Sequence, residues 1–197
     1  MQYNNTVDYY DSHADKFYES TVNVDFTTIQ KHFLSKLKEG AYILDFGCGS
    51  GRDTKYFLEK GYQVEAIDGS LKLCEFAGKY TGINVKHMFF QELSEVGRYD
   101  GIWACSSILH LSLNELVDVM QKMAVALKEN GIVYTSFKYG TFAGERNGRF
   151  FTDMTEEVFA EFLNKVKNLE LEEQWITVDV RPERGEEKWL NLILRKR

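Results

Sequence analysis

The segment Gly47-Cys48-Gly49-Ser50-Gly51, with Asp45 before it and Arg52 after it, gathers residue types that let a backbone come close to a ligand. Two nucleotide templates fail on it. A dinucleotide turn, G-x-G-x-x-G, needs a small third residue for helix-against-strand packing, and Arg52 stands in that slot. A phosphate-binding P-loop needs Gly-Lys followed by Ser or Thr, and none follows. Asp45, at the end of the preceding apolar run, would repel a pyrophosphate and attract an ammonium or sulfonium. Asp68 lies 23 residues further on, where an acid commonly accepts hydrogen bonds from ribose hydroxyls. One adenosine-bearing cation suits both carboxylates: S-adenosylmethionine.

These residues need strands and helices to position them, and the pattern supplies them. "DFTTIQKHFLSKLK" (25–38) puts Phe26, Ile29, Phe33 and Leu37 on one helical face, with Gly40 as a stop. "AYILDF" reads as a buried strand running into the glycine turn, "DTKYFLEK" as a helix, and "YQVEAID" as a second strand. Ser70 caps the helix "LKLCEFAGKY". "INVKHMFF" and "YDGIWACSS" read as strands three and four. Ser112 and Glu115 have capping-box spacing ahead of a helix over 113–128, whose apolar face is Leu116, Val117, Met120, Ala124 and Leu127. Asn130-Gly131 turns the chain into a fifth strand, "GIVYTSFK". A helix over 155–167 turns Phe159, Phe162, Leu163 and Val166 inward. "LEEQWITVDV" and "KWLNLILRK", with no helix between them, pair antiparallel. The fold class is α/β: a Rossmann-like, seven-stranded, mostly parallel sheet with an antiparallel C-terminal strand and helices on both faces. Ligands of such sheets sit beyond the carboxyl ends of the strands.

The 197 residues, 44% of them hydrophobic and only one a proline, suit a single packed domain spanning 1–197 with no linker. A net charge of −6 disfavours a broad non-specific grip on nucleic acid. Cys48, Cys74 and Cys105 have no paired spacing, so neither a disulfide framework nor a metal site is expected. Neither a signal-like N-terminus nor an apolar run of membrane-spanning length is present, and the expectation is a cytoplasmic protein with no membrane partner. Oligomeric state is not readable.

"ILDFGCGSGRDT", with Asp68 after "YQVEAI", resembles the class I S-adenosylmethionine-dependent methyltransferases over nearly the whole chain. "GCGSGRD", "YDGIWACSSILHL" and "SFKYG" are similar to the small bacterial tellurite-resistance-like group of that family. The resemblance implies that Gly47, Cys48 and Gly49 approach the cofactor, that Asp68 binds its ribose, and that Gly69 and Ser70 border the adenine. Gln91-Glu92 stands where the family often has an Asp on the adenine amine; either residue could take that part. Cys105 would pass beside the methionine tail, as a small filler rather than a nucleophile. Arg52 either pairs with the cofactor's carboxylate or caps the next helix. The segment 1–40, with Tyr9, Tyr10, Phe17 and Tyr18, would fold over the cofactor as a helical lid; the alternative is a helix using its aromatics as core.

On the acceptor side, His110 follows the fourth strand and is the candidate general base; the alternative is a histidine packed in a turn. The segment 136–153 is the expected substrate loop, with Lys138, Tyr139, Arg146 and Arg149. Arg181, Arg184 and Trp189 come from a second loop. Together they would make an anion pocket or, in the other reading, a solvated charged face. The expected function is methyl transfer to a small anionic molecule. The alternatives are an RNA- or nucleotide-modifying methyltransferase and a non-catalytic S-adenosylmethionine-binding regulatory subunit.

Overall fold

The computed structural model describes residues 2–181 and 184–197. Pro182 and Glu183, in the connection between the last two predicted strands, lie outside the described residues. The chain opens with three helices, α1 (Gln2–Ser12), α2 (Ala14–Thr21) and α3 (Thr27–Leu34). Strands and helices then alternate: β1 (Tyr42–Phe46), α4 (Arg52–Glu59), β2 (Gln63–Asp68), α5 (Leu71–Thr81), β3 (Lys86–His87), β4 (Tyr99–Ala104), α6 (Leu113–Ala126) and β5 (Leu127–Lys138). A hairpin, β6 (Ala143–Arg146) with β7 (Arg149–Thr152), precedes α7 (Glu156–Leu163), β8 (Leu169–Val178) and β9 (Lys188–Lys196).

The main sheet has seven strands in the order β3-β2-β1-β4-β5-β9-β8. β3, β2, β1, β4 and β5 are parallel, and β9 runs antiparallel to both β5 and β8. The strand order reverses between β1 and β4, so the loops after these two strands diverge and leave a crevice.

Period-two alternation decides which face each strand residue serves. Leu44 and Phe46 join Ile102, Val133 and Leu192 against α6 and α7, through Leu116, Met120, Met123, Phe159 and Phe162. Ile43, Trp103, Tyr134 and Ile193 point the other way, against Ile29 and Phe33 of α3 and Phe57 of α4. Trp103 and Tyr134 stack with ring centroids 4.1 Å apart. Burying an aromatic of this size contributes about 1.5–3 kcal/mol, so the second face is anchored largely by its rings.

The helix starts follow local chemistry. The Ser70 hydroxyl accepts the Leu73 N–H, and the Glu115 carboxylate accepts both the Ser112 N–H and its hydroxyl. Three details differ from the sequence expectation. β3 is only Lys86–His87, and "MFF" leaves the sheet to enter a short turn at Phe90–Glu92. α6 already ends at Ala126 and β5 begins at Leu127, so Asn130, at φ +63°, lies within β5 rather than ahead of it; pairing with β4 shifts register there and resumes at Ile132. The expected loop over 136–153 contains the β6–β7 hairpin, turned by Asn147 and Gly148 at φ +53° and +76°. That Asn-Gly pair between aromatic-rich flanks is a hairpin signal in its own right.

Candidate active site

A cavity of about 520 Å³ lies over the carboxyl ends of the strands. Its floor is the glycine turn after β1. Gly47 has φ +90°, and a Cβ there would lie 2.5 Å from the Cβ of Ser107, so only glycine fits. Ser107 cannot yield, because its hydroxyl donates to the Phe46 carbonyl at 2.6 Å. The amides of Gly47 and Cys48 both donate to the Ile67 carbonyl, tying the turn to β2.

Asp68 ends β2 at the cavity edge. One carboxylate oxygen accepts the Gly49 N–H and the other the Ser70 N–H, each at 2.8 Å. Burial pushes its pKa up, against the pull of these two amides. A carboxylate so fixed can accept hydrogen bonds from a vicinal diol. Beyond it, Gly69, Ser70 and the apolar Met88, Phe89 and Phe90 form a wall suited to a planar base.

Asp45 does not face the cavity, contrary to the expectation from its position. Alternation turns it to the α4 face of β1, where it is buried and accepts the Thr54 hydroxyl at 2.6 Å. Burial first, and then the charge of Asp53, raise its pKa. The charge at this end of the cavity belongs instead to Asp53, which sequence reasoning missed. Burial pushes Asp53 up, but Arg52 and hydrogen bonds from Trp103 and Gln30 bring it below the ordinary carboxylate range. Arg52 grips it with Nε and Nη2 at 2.8 and 2.9 Å. Arg52 also stacks on Phe26 at 4.5 Å. Arg52 lines the cavity, and its carboxylate partner among the described residues is Asp53, a role beside the two expected for it.

The roof is α1 and α2. Thr6, Val7, Tyr10, Phe17 and Thr21 line the cavity. α1 is tied down at both ends of its cavity face: Ser70 donates to Asp11 at 2.5 Å, and the Phe150 N–H donates to Thr6 Oγ1 at 3.1 Å. Tyr18 lies outside the cavity lining and packs its ring on Phe76 at 5.3 Å, because its helical position turns it toward α5.

His110 lines the cavity with its tautomer settled by its neighbours. Its Nδ1 lies 2.7 Å from the Phe150 carbonyl, which can only accept, so Nδ1 carries the proton. Nε2 therefore accepts the Tyr10 hydroxyl at 2.8 Å. Burial, aided by the charges of Arg149 and Lys138, lowers the imidazole pKa to about 4. The ring is neutral near pH 7, and its basic nitrogen is already engaged. A proton from an acceptor would reach it by way of Tyr10.

Of the remaining expected site residues, Cys48, Gly49, Gly69, Cys105, Lys138, Arg149, Arg181 and Arg184 line the cavity. Gln91, Glu92 and Tyr139 do not. The Gln91 carbonyl accepts Lys122, and Glu92 accepts the Phe89 N–H at 2.7 Å, because the short turn after β3 rotates both outward. Tyr139 is exposed, with its pKa raised by Glu156. Cys105 has its thiol pushed up to about 12, by burial first and then by the charge of Asp53, so it is no nucleophile. The expected anion pocket carries its own counterions: Glu187 pairs with Lys138 and lies 3.8 Å from Arg184, and Asp179 pairs with Arg181.

The comparisons agree with this architecture. Residues 43–131 match the family model described as a methyltransferase domain. The chain is 27% identical over 140 residues to the putative methyltransferase YqeM of Bacillus subtilis, covering 66% of this chain and 57% of that protein. It is 33% identical over 125 residues to the Xenopus laevis N-terminal Xaa-Pro-Lys N-methyltransferase 1-B, covering 56% of each. The chain thus spans a little over half the length of these curated relatives. Among solved structures, it is similar to the Burkholderia thailandensis 1,6-didemethyltoxoflavin-N1-methyltransferase, whose crystals hold 1,6-didemethyltoxoflavin and S-adenosylhomocysteine. The TM-score is 0.74 at 23% identity, covering 96% of this chain and 84% of that one. It is also similar to a TehB-like methyltransferase of Corynebacterium glutamicum, with TM-score 0.72 at 20% identity, covering 94% and 99%.

Fold and domain match define the class that the chain resembles: residues 43–131 match a methyltransferase domain, and the chain has the Rossmann-like α/β fold of the solved methyltransferases. The cofactor of that class is S-adenosylmethionine, and the glycine floor, Asp68 and the apolar wall suit its shape and charge. Among the described residues, no helix is long and apolar enough to cross a membrane.

Proposed function

We propose that this protein transfers the methyl group of S-adenosylmethionine to a small anionic molecule held beneath α1. The observation that carries the reading is the joint placement of Asp68 and the Gly47–Gly49 floor in one roofed cavity. The bound cofactor would supply an already activated sulfonium methyl. The protein's part is to hold the acceptor atom about 3–3.5 Å from the methyl carbon, in line with the breaking bond, and to exclude water. Asp68 would hold the ribose, with Gly69, Ser70 and Phe89 beside the adenine. Gly47, Cys48, Gly49 and Cys105 would flank the methionine portion. Helix α1 and the β6–β7 hairpin, as lid and substrate loop of a single domain, would enclose the acceptor.

The size of the acceptor is inferred from that roof, and its charge from Arg149, the lining cation with no carboxylate partner among the described residues. Likeness to the TehB-like structure, together with "SFKYG", supports placement among small enzymes of the tellurite-resistance-like kind. The test is methyl transfer from isotopically labelled S-adenosylmethionine into a fractionated cell extract. Label in the small anionic fraction is expected. Label confined to RNA or protein, or no label in any fraction, would overturn the reading.

A further inference from the structure

The cavity cations are not equivalent. Arg52 holds Asp53, and Arg181 holds Asp179, each through the Nε and Nη2 edge of the guanidinium. Arg146 chelates Asp153 at 2.9 and 3.1 Å. Lys138 and Arg184 share Glu187. Arg149 alone among these cavity cations has no carboxylate partner among the described residues. Its Nη1 donates to the Tyr10 oxygen at 3.3 Å. Its Nε–H is buried without a partner, on the edge that grips an aspartate in Arg52 and Arg181.

The setting of Arg149 favours an incoming anion. Its guanidinium carbon lies 4.5 Å from the Tyr9 ring centre and 5.1 Å from that of Phe151. Stacked rings shield the flat faces of a guanidinium and leave the in-plane hydrogen-bonding edge for a ligand. A buried donor left unsatisfied is costly, and a planar oxyanion taking the Nε and Nη2 hydrogens together would remove that cost.

We propose that the Nε–Nη2 edge of Arg149 seats a carboxylate, or a similar planar oxyanion, of the methyl acceptor, and that α1 assembles this seat through Tyr9 and Tyr10. The inference rests on the methyltransferase reading and narrows its substrate class to molecules with one anionic group beside the acceptor atom. The anion belongs to the acceptor and not to the cofactor's methionine: Arg149 and Phe151 come from the hairpin and sit beside His110, which follows β4, whereas the glycine floor follows β1.

Isothermal titration separates the possibilities. Wild-type protein is first titrated with S-adenosylhomocysteine, then, once saturated, with benzoate and with neutral benzamide as probes. Benzoate should bind the loaded protein and benzamide should not. Arg149→Gln should weaken benzoate by at least about tenfold while leaving S-adenosylhomocysteine affinity unchanged. Arg149→Lys, which keeps the charge but loses the fork, should fall between. Benzoate that fails to bind loaded wild-type protein, or binds no better than benzamide, overturns the proposal without recourse to any variant. So does an Arg149→Gln change that weakens S-adenosylhomocysteine instead, since the cofactor's carboxylate would then own the site. Wild-type protein that ignores S-adenosylhomocysteine would mark failure of the underlying reading instead.

Discussion

The Tyr10 hydroxyl of α1 lies 2.8 Å from Nε2 of His110, a residue one hundred positions away that follows β4. This contact joins the roof of the cavity to its wall. Tyr10→Phe would leave Nε2 and an Arg149 N–H without a partner, a loss of about 1–3 kcal/mol. The loss should fall on closure of α1. Hydrogen exchange should quicken over residues 5–12 and remain unchanged in β1 and β4. Equal protection in both proteins would show that Tyr10 does not hold the lid.

His110 also sets a pH dependence. Its folded pKa is about 4, against an ordinary 6.5. Between these values the unfolded chain binds a proton that the folded chain refuses. Its contribution to stability is therefore complete above 6.5 and is lost as pH falls toward 4. The melting temperature of the wild type should drop more steeply across that window than that of His110→Gln. Parallel profiles would contradict the buried neutral state.

Gly47→Ala would place a methyl group 2.5 Å from the Ser107 Cβ at a φ of +90°. Strain of about 1–3 kcal/mol follows from the backbone conformation alone. The variant should melt at a lower temperature and lose S-adenosylmethionine binding. Wild-type affinity in this variant would mean that the turn is not the cavity floor.

Asp53→Asn would keep the shape of the side chain and remove the charge that Arg52, Trp103 and Gln30 all face. A buried ion pair deprived of one member typically costs about 3–5 kcal/mol. Chemical denaturation should report a loss of that order. A change within error would show that solvent reaches the pair.

The succession of strands and helices along the chain and the glycine turn were legible because both are local: apolar runs, caps and a three-glycine turn need no distant partner, whereas the order of the strands in the sheet came only from the family resemblance. The hairpin also had a local signal in Asn147-Gly148, hidden by the charged residues around it. Asp45 misled because its position in the chain named the strand end but not the face on which it emerges. The opposed fates of Arg149 and its neighbours were not readable, since Lys138, Arg181 and Arg184 are paired through Glu187 and Asp179 by folding of the last loop. Tyr10 and His110 were each noticed, but their contact arises only when α1 crosses the cavity.

The central claim is that the cavity floored by Gly47 and edged by Asp68 holds S-adenosylmethionine. Isothermal titration of the cofactor into wild type, Asp68→Ala and Asp45→Asn tests it most directly. Wild type should bind one cofactor per chain. Asp68→Ala should bind at least about tenfold more weakly, as expected for loss of hydrogen bonds to a charged group. Asp45→Asn should cost far less, because Asp45 faces Thr54 and not the cavity. Wild-type protein that fails to bind S-adenosylmethionine, or an Asp68→Ala variant that binds it as well as wild type, would contradict the account.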